Sequence, residues 1–178
     1  GNTDFTMENC VLGNNNHGIL VMSGVDSEVF NCAIGSSVKA GIYLSGGGTI
    51  TIRDSYIWGG QTAGWPAIQC AGDVENIILM GCRLDNNRGH EVNLTAGVAN
   101  WQIADNEFRG LHADVADGAY NAINLDGTDA SKNTDVIIRG NRFVKMTTKR
   151  YGYCVYRVNA GGENRVILQG NNGNGGYL

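Results

Sequence analysis

Proline is almost absent from this chain, one residue (Pro66) in 178, and nowhere do eighteen apolar residues follow one another. The first scarcity excludes polyproline and collagen-like architectures. The second argues against a helical membrane span, and without a basic-then-apolar start no secretory leader is visible, so no membrane insertion is expected. Positive charge is scarce too: 13 Lys and Arg against 17 Asp and Glu leave a net charge of −4. A nucleic-acid partner, which needs a basic surface, is not expected. The five cysteines, at positions 10, 32, 70, 82 and 154, contain no CxxC pair and are odd in number, so reduced, buried thiols are expected. His17, His90 and His112 lack ligand spacing, and "SGGG" and "GNNGNGG" lack the Lys-Ser/Thr of a phosphate loop. Neither a metal nor a cofactor is expected.

What the chain does have is 27 Gly and 21 Asn, spread along its whole length, which implies many tight turns. They punctuate a recurring phrase. "IILMGCRL" at 77–84 returns as "WQIADNEF" at 101–108 and as "VIIRGNRF" at 136–143. Anchored on its small or polar residue, the phrase recurs at Cys10, Cys32, Ser55, Cys82, Asn106, Asn141 and Asn171. Three places earlier stand Met7, Val29, Ile52, Leu79, Ile103, Ile138 and Leu168, all apolar. Immediately before each anchor comes Asn, Asp or Gly, the residue types that tolerate positive φ. Each phrase therefore reads as a strand with period-two burial, a one-residue left-handed corner, and a second short strand.

A third strand follows in each unit: "GILV", "GIYL", "AIQC", "EVNL", "AINL" and "VYRV". Its inward pairs are expected at Ile19/Val21, Ile42/Leu44, Ile68/Cys70, Val92/Leu94, Ile123/Leu125 and Tyr156/Val158. Three strands per unit at a loose spacing make coils of a parallel solenoid, all-β, in which strands hold register while the loop between the second and third strands stretches. A hairpin-built sandwich would need two-residue Asn-Gly or Asp-Gly connectors between antiparallel partners, and Asp-Gly falls at one class of corner only. Helix is expected nowhere beyond a turn in the 110–121 loop.

With these columns in place, the chain resembles the right-handed parallel β-helix superfamily of pectate lyases, polygalacturonases and phage tailspikes over nearly all its length. The column Asn106, Asn141, Asn171, continued by Cys82, Ser55, Cys32 and Cys10, looks like that superfamily's asparagine ladder. The resemblance implies a single-stranded β-helix of about six to seven coils. We expect a single domain over 1–178, a piece of a longer chain, most like a tailspike or tail-fibre domain. It would be homotrimeric, located in a virion tail or extracellularly, with a bacterial surface polysaccharide as its partner.

The third strand's outward side is where a glycan is expected. Its columns run Leu20, Tyr43, Gln69, Asn93, Asn124, Arg157 and Met22, Ser45, Ala71, Thr95, Asp126, Asn159. Nearby loops add Trp65, Tyr120 and Tyr153. Amides, an arginine and rings suit sugar hydroxyls and C–H faces; the contrary reading is that amides are ordinary surface residues on a strand. Glu91, Asp117 and Asp126 are the candidate carboxyl groups should the chain cleave its glycan, a reaction that needs two carboxyls about 5 to 10 Å apart. The Asp-Asp pair and Gly-His-Gly of polygalacturonases are missing, and the Pro-containing arginine motif of pectate lyases cannot form around Pro66. The alternatives to glycan recognition are a depolymerase, lyase or epimerase domain, and a purely structural spacer. On the outer side of the first strand Phe30, Ile78, Met80, Ile137 and Ile167 suggest a surface for another chain, and Arg83, Glu107 and Arg142 on the second strand a charge ladder.

Overall fold

A computed structural model describes residues 4–22, 26–72, 74–95, 99–126, 134–144, 149–158 and 165–174. Among these described residues, twenty short strands wind into a parallel solenoid whose three sheets hold seven, seven and six strands. One coil shows the plan: Ile77–Met80 lies in the first sheet, Arg83–Asp85 in the second and Val92–Leu94 in the third. Every named strand pairing is parallel and joins one coil to the next, so equivalent residues stack; Leu79 pairs with Ile52 below and Ile103 above. Because side chains alternate, these columns fill the interior. Ile52, Leu79, Ile103 and Ile138 are fully buried, as are Ile42, Ile68, Val92 and Ile123 from the third sheet.

The corner between first and second strands is the constant part. Its single residue has positive φ in all seven coils, at Asn9 (56°), Asn31 (49°), Asp54 (50°), Gly81 (65°), Asp105 (56°), Gly140 (63°) and Gly170 (61°). A left-handed residue turns the chain within one peptide, which only Gly, Asn and Asp do cheaply. The residue after it is the ladder. Asn106 donates through Nδ2 to Asn141 Oδ1 at 3.0 Å and to Leu79 O at 3.0 Å, and Asn141 donates to Asn171 Oδ1 at 3.0 Å and to Ile103 O at 2.9 Å. Each amide oxygen also accepts a backbone N–H from the coil before, Cys82 N to Asn106 Oδ1 at 2.9 Å and Asn106 N to Asn141 Oδ1 at 3.0 Å. The buried amides therefore have both donors and the acceptor engaged. In earlier coils Ser55 Oγ accepts from Cys32 N at 3.1 Å, and the Cys82 thiol turns to Met80 O at 3.4 Å.

Two expectations need correction. Length varies mainly between the second and third strands, where five to fourteen residues intervene, yet the connection from third strand to next first strand also varies, from four to seven. In the sixth coil the register is displaced by one residue. Val155 pairs with Ile123, Tyr156 with Asn124 and Arg157 with Leu125. Cys154 is the cause: it fills the buried corner position that Ala122 fills one coil below, with Ile123 N bonded to Cys154 O at 2.9 Å. Tyr156, not Arg157, thus joins the outward column. All five cysteines are free thiols, four of them buried.

Candidate functional site

The outer side of the third sheet carries a second amide column. Asn93 Nδ2 donates to Gln69 Oε1 at 2.9 Å, Asn124 Nδ2 to Asn93 Oδ1 at 2.8 Å, and Asn121 Nδ2 to Asn124 Oδ1 at 3.1 Å. Gln69 closes the lower end on Cys70 O (2.9 Å) and Thr95 Oγ1 (3.0 Å). Gln69 and Asn124 are buried and Asn93 is half-buried. Each amide of this kind has two donors and two lone pairs, so the chain of mutual bonds leaves part of its capacity free. The expected glycan amides form a mutually bonded floor and not a row of separate contacts.

Rings stand beside that floor, positioned by the residues just before each third strand. A small or buried residue directly precedes every third strand: Gly18, Gly41, Ala67, Glu91, Ala122 and Cys154. The residue two places earlier runs Asn16, Lys39, Trp65, Gly89, Tyr120 and Gly152. Backbone bonds from Lys39 N to Asn16 O (2.8 Å), Gly64 N to Arg88 O (2.8 Å) and Ala67 N to His90 O (3.0 Å) hold these loops in register. Tyr43, Trp65 and His17 converge, with His17 4.9 Å from Tyr43 and 5.6 Å from Trp65, ring centre to ring centre. Lys39 Nζ lies 5.4 Å from the Trp65 ring. Tyr120 meets His90 edge-on at 5.3 Å, and Tyr153 stacks on Tyr156 at 5.1 Å. Gly89 is required here, because a Cβ would sit 2.4 Å from the Trp65 carbonyl oxygen. Burial and the neighbouring Lys39 push His17 below its ordinary pKa, so its ring is neutral at pH 7. Six stacked strands make this strip about 24 Å long at about 4.8 Å per coil.

Of the three carboxyl candidates, Glu91 and Asp117 are not brought together. Glu91 points inward from the column of small residues and is completely buried. It accepts from Asn87 Nδ2 at 2.5 Å and from Tyr151 Oη at 3.1 Å, while Tyr151 Oη accepts from Gly110 N at 2.7 Å. Burial, the larger effect, raises the carboxyl to about 8 against these two donors, with Asp85 adding to the rise. A group sealed in the core cannot reach a substrate in the groove; its role is to tie Tyr151 and the 109–122 connection to the fourth coil. Asp117 is on the surface loop, joined to Arg150 through its backbone N–H (2.6 Å) and guanidinium (2.8 Å). Asp126 ends a third-sheet strand, and its side chain lies outside the described residues, as does Asn159. Arg157 is exposed and in register with Leu125, away from the amide column.

A cluster that the sequence did not single out occupies the second sheet. Tyr56 stacks on Trp58 (4.4 Å, 15°), Arg83 lies over Tyr56 (4.4 Å), and Asp85 gathers Tyr56 Oη (2.9 Å), Arg83 (2.9 Å) and Arg109 (3.6 Å). Of the expected charge ladder, Arg142 meets Glu107 at 3.7 Å, but Arg83 turns to Asp85. Asp85 was hidden because it is in the next outward column, where Trp58 and Gly35 precede it. A shallow trough of about 400 Å³ runs beside this cluster, along the left-handed corner, lined by residues including Asn9, Asn31, Asp54, Tyr56 and Arg83. Its charged and aromatic members are already committed to one another, so the third-sheet strip is the better-prepared surface.

No curated protein matches this sequence. Among solved structures, the Streptococcus pneumoniae surface protein and adhesin PfbA superposes with a TM-score of 0.52 at 11% identity, over 93% of this chain and 64% of that one. The chain thus spans just under two thirds of that relative, and the likeness is one of fold. A family model described as "Right handed beta helix region" matches residues 1–143. The chain belongs to the right-handed β-helix family.

Proposed function

We propose that this chain is a polysaccharide-recognition solenoid that lays a glycan along the third sheet without cleaving it. The carrying observation is the strip of half-exposed rings, His17–Tyr43–Trp65, His90–Tyr120 and Tyr153–Tyr156, running parallel to the solenoid axis over a floor of amides. Rings spaced by the coil rise offer repeated stacking faces to a repeating polymer, and the amides retain donors and acceptors for hydroxyls. The superposed S. pneumoniae protein is a surface protein and adhesin, but the reading rests on the strip itself.

The finer reading is a phage tail spike or tail fibre that binds a bacterial surface polysaccharide. Five free thiols suit a protein folded in a reducing cytosol before virion assembly. A trimer would form through the first sheet, whose outer side exposes Met80 (37%) and Ile167 (42%) beside half-buried Ile78 and Ile137. The test is a screen of capsules and O-antigens that reads binding and reducing-end release together, on wild type, Tyr43→Ala/Tyr120→Ala and Asp117→Asn. Binding lost in the ring variant with no product from any protein is the expected result. Product release by wild type overturns the non-catalytic part, and no binding to any polysaccharide overturns the whole reading in favour of a spacer.

A further inference from the structure

The ring strip is electrically uneven. Its floor is amide, and Asp117 and Arg150 neutralise each other on the adjoining loop. At the His17–Tyr43–Trp65 end stands Lys39, half-buried, its ammonium against the Trp65 ring, with no ion pair to any carboxylate among the described residues. The neighbouring histidine is held neutral, partly by this lysine. Lys39 is not a loosely tethered surface cation. Its backbone N–H donates to Asn16 O and its ammonium lies 5.4 Å from the centre of the Trp65 ring, so the charge stands at the stacking platform. Cation and ring leave one side of the ammonium to be matched by an anion.

Resting on the glycan reading above, we propose that the glycan unit seated on Trp65 carries a single negative charge, a uronate-type carboxylate or a phosphodiester, and that Lys39 selects for it. The rest of the protein makes that local cation necessary. At a net charge of −4 the chain as a whole repels an acidic polymer, and at physiological salt that repulsion is screened beyond about 8 Å, so a cation in direct contact decides the outcome. The ammonium is a compact point charge with rotatable donors, which suits a carboxylate or phosphate oxygen without demanding one planar geometry.

The experiment measures binding of intact wild-type protein and Lys39→Met to three immobilised polymers: a uronate-containing capsule, the same capsule after carboxyl reduction, and a phosphodiester-linked polymer. Trp65→Ala is the reference for ring-dependent binding, and circular dichroism checks the fold of each variant. Wild type should prefer an acidic polymer over the reduced one by about ten-fold, the size of one charge-assisted hydrogen bond, and Lys39→Met should erase that preference while still binding the reduced polymer. Which acidic polymer shows the effect identifies carboxylate or phosphate as the source. Equal binding to acidic and reduced polymers, or a preference that survives Lys39→Met, overturns the role of Lys39 and leaves the ring-based reading standing if Trp65→Ala loses binding. If wild type binds none of the polymers in this assay or in the broader screen, both fall together.

Discussion

Two columns of amides climb this solenoid, and they differ in what surrounds them. The inner column, Asn106–Asn141–Asn171, sits at a dry corner where each amide bonds to its neighbour, to a first-strand carbonyl and to a backbone N–H. The outer column, Gln69–Asn93–Asn124, uses the same side-chain-to-side-chain bond on the sheet's outer side, where water, loops or a ligand can take the remaining valences. Identical chemistry therefore specifies the fold in one place and prepares a surface in the other. The difference lies in the alternative available to each group when its partner is removed.

That difference gives the largest expected effect. Asn141→Ala strips the Asn106 N–H and amide and the Ile103 carbonyl of their Asn141 side-chain partner and leaves the Asn171 oxygen with only the Asn141 backbone N–H, and should cost about 3–5 kcal/mol in denaturant unfolding, if the protein folds at all. Asn93→Ala, which removes the equivalent link from a half-buried position outside, should cost only about 1 kcal/mol, because water can enter the space it leaves and reach the two partner amides. A comparable loss at both positions would break the distinction.

Glu91 sharpens it with pH. Its carboxyl is at about 8 in the folded chain against an ordinary 4.5, so the folded state binds the extra proton. Its contribution to stability is full below pH 4.5, is lost progressively as pH rises to about 8 and is flat above that. Glu91→Gln should track wild type at pH 4.5 and exceed it at pH 8 by on the order of 4 kcal/mol, read from denaturation at both values. Gly140→Ala tests the corner alone. With φ at 63° and the new Cβ 2.2 Å from an Asp105 carboxylate oxygen, it should destabilise by about 1–2 kcal/mol. The smallest effect is expected at Ser27, a buried hydroxyl without a partner among the described residues in a column otherwise held by Ile50, Ile77 and Trp101. Ser27→Val should stabilise by about 1 kcal/mol in the same assay.

Most of the fold was legible because the corner imposes a local rule. A left-handed residue followed by a buried small or amide group must appear once per coil, and the seven positive-φ residues fall where Asn9, Asn31, Asp54, Gly81, Asp105, Gly140 and Gly170 placed them. The site was less legible, for physical reasons that differ by residue. Tyr43, Trp65 and Tyr120 were recognised as rings near one face, but the convergence of His17 and Lys39 on Trp65 depends on the short strand entrance and not on the strand pattern. Counting two residues back from the residue before each third strand puts Lys39 and Trp65 in one column, whereas His17 stands only one residue back. Glu91 reads as a candidate carboxyl for the groove because nothing in "RGHEVNL" announces that the corner column turns inward there. Arg157 was misplaced because Cys154, an apolar thiol, takes the corner and shifts the alternation by one.

The most direct test of the account sets two half-exposed tryptophans on different sheets against each other: binding of the best polysaccharide from the screen to Trp65→Ala and to Trp58→Ala. Trp65 stands on the third-sheet strip, whereas Trp58 stacks on Tyr56 on the second sheet. The account predicts at least ten-fold weaker binding for Trp65→Ala and wild-type affinity for Trp58→Ala; loss in Trp58→Ala with Trp65→Ala unaffected would contradict it and move the glycan to the second sheet.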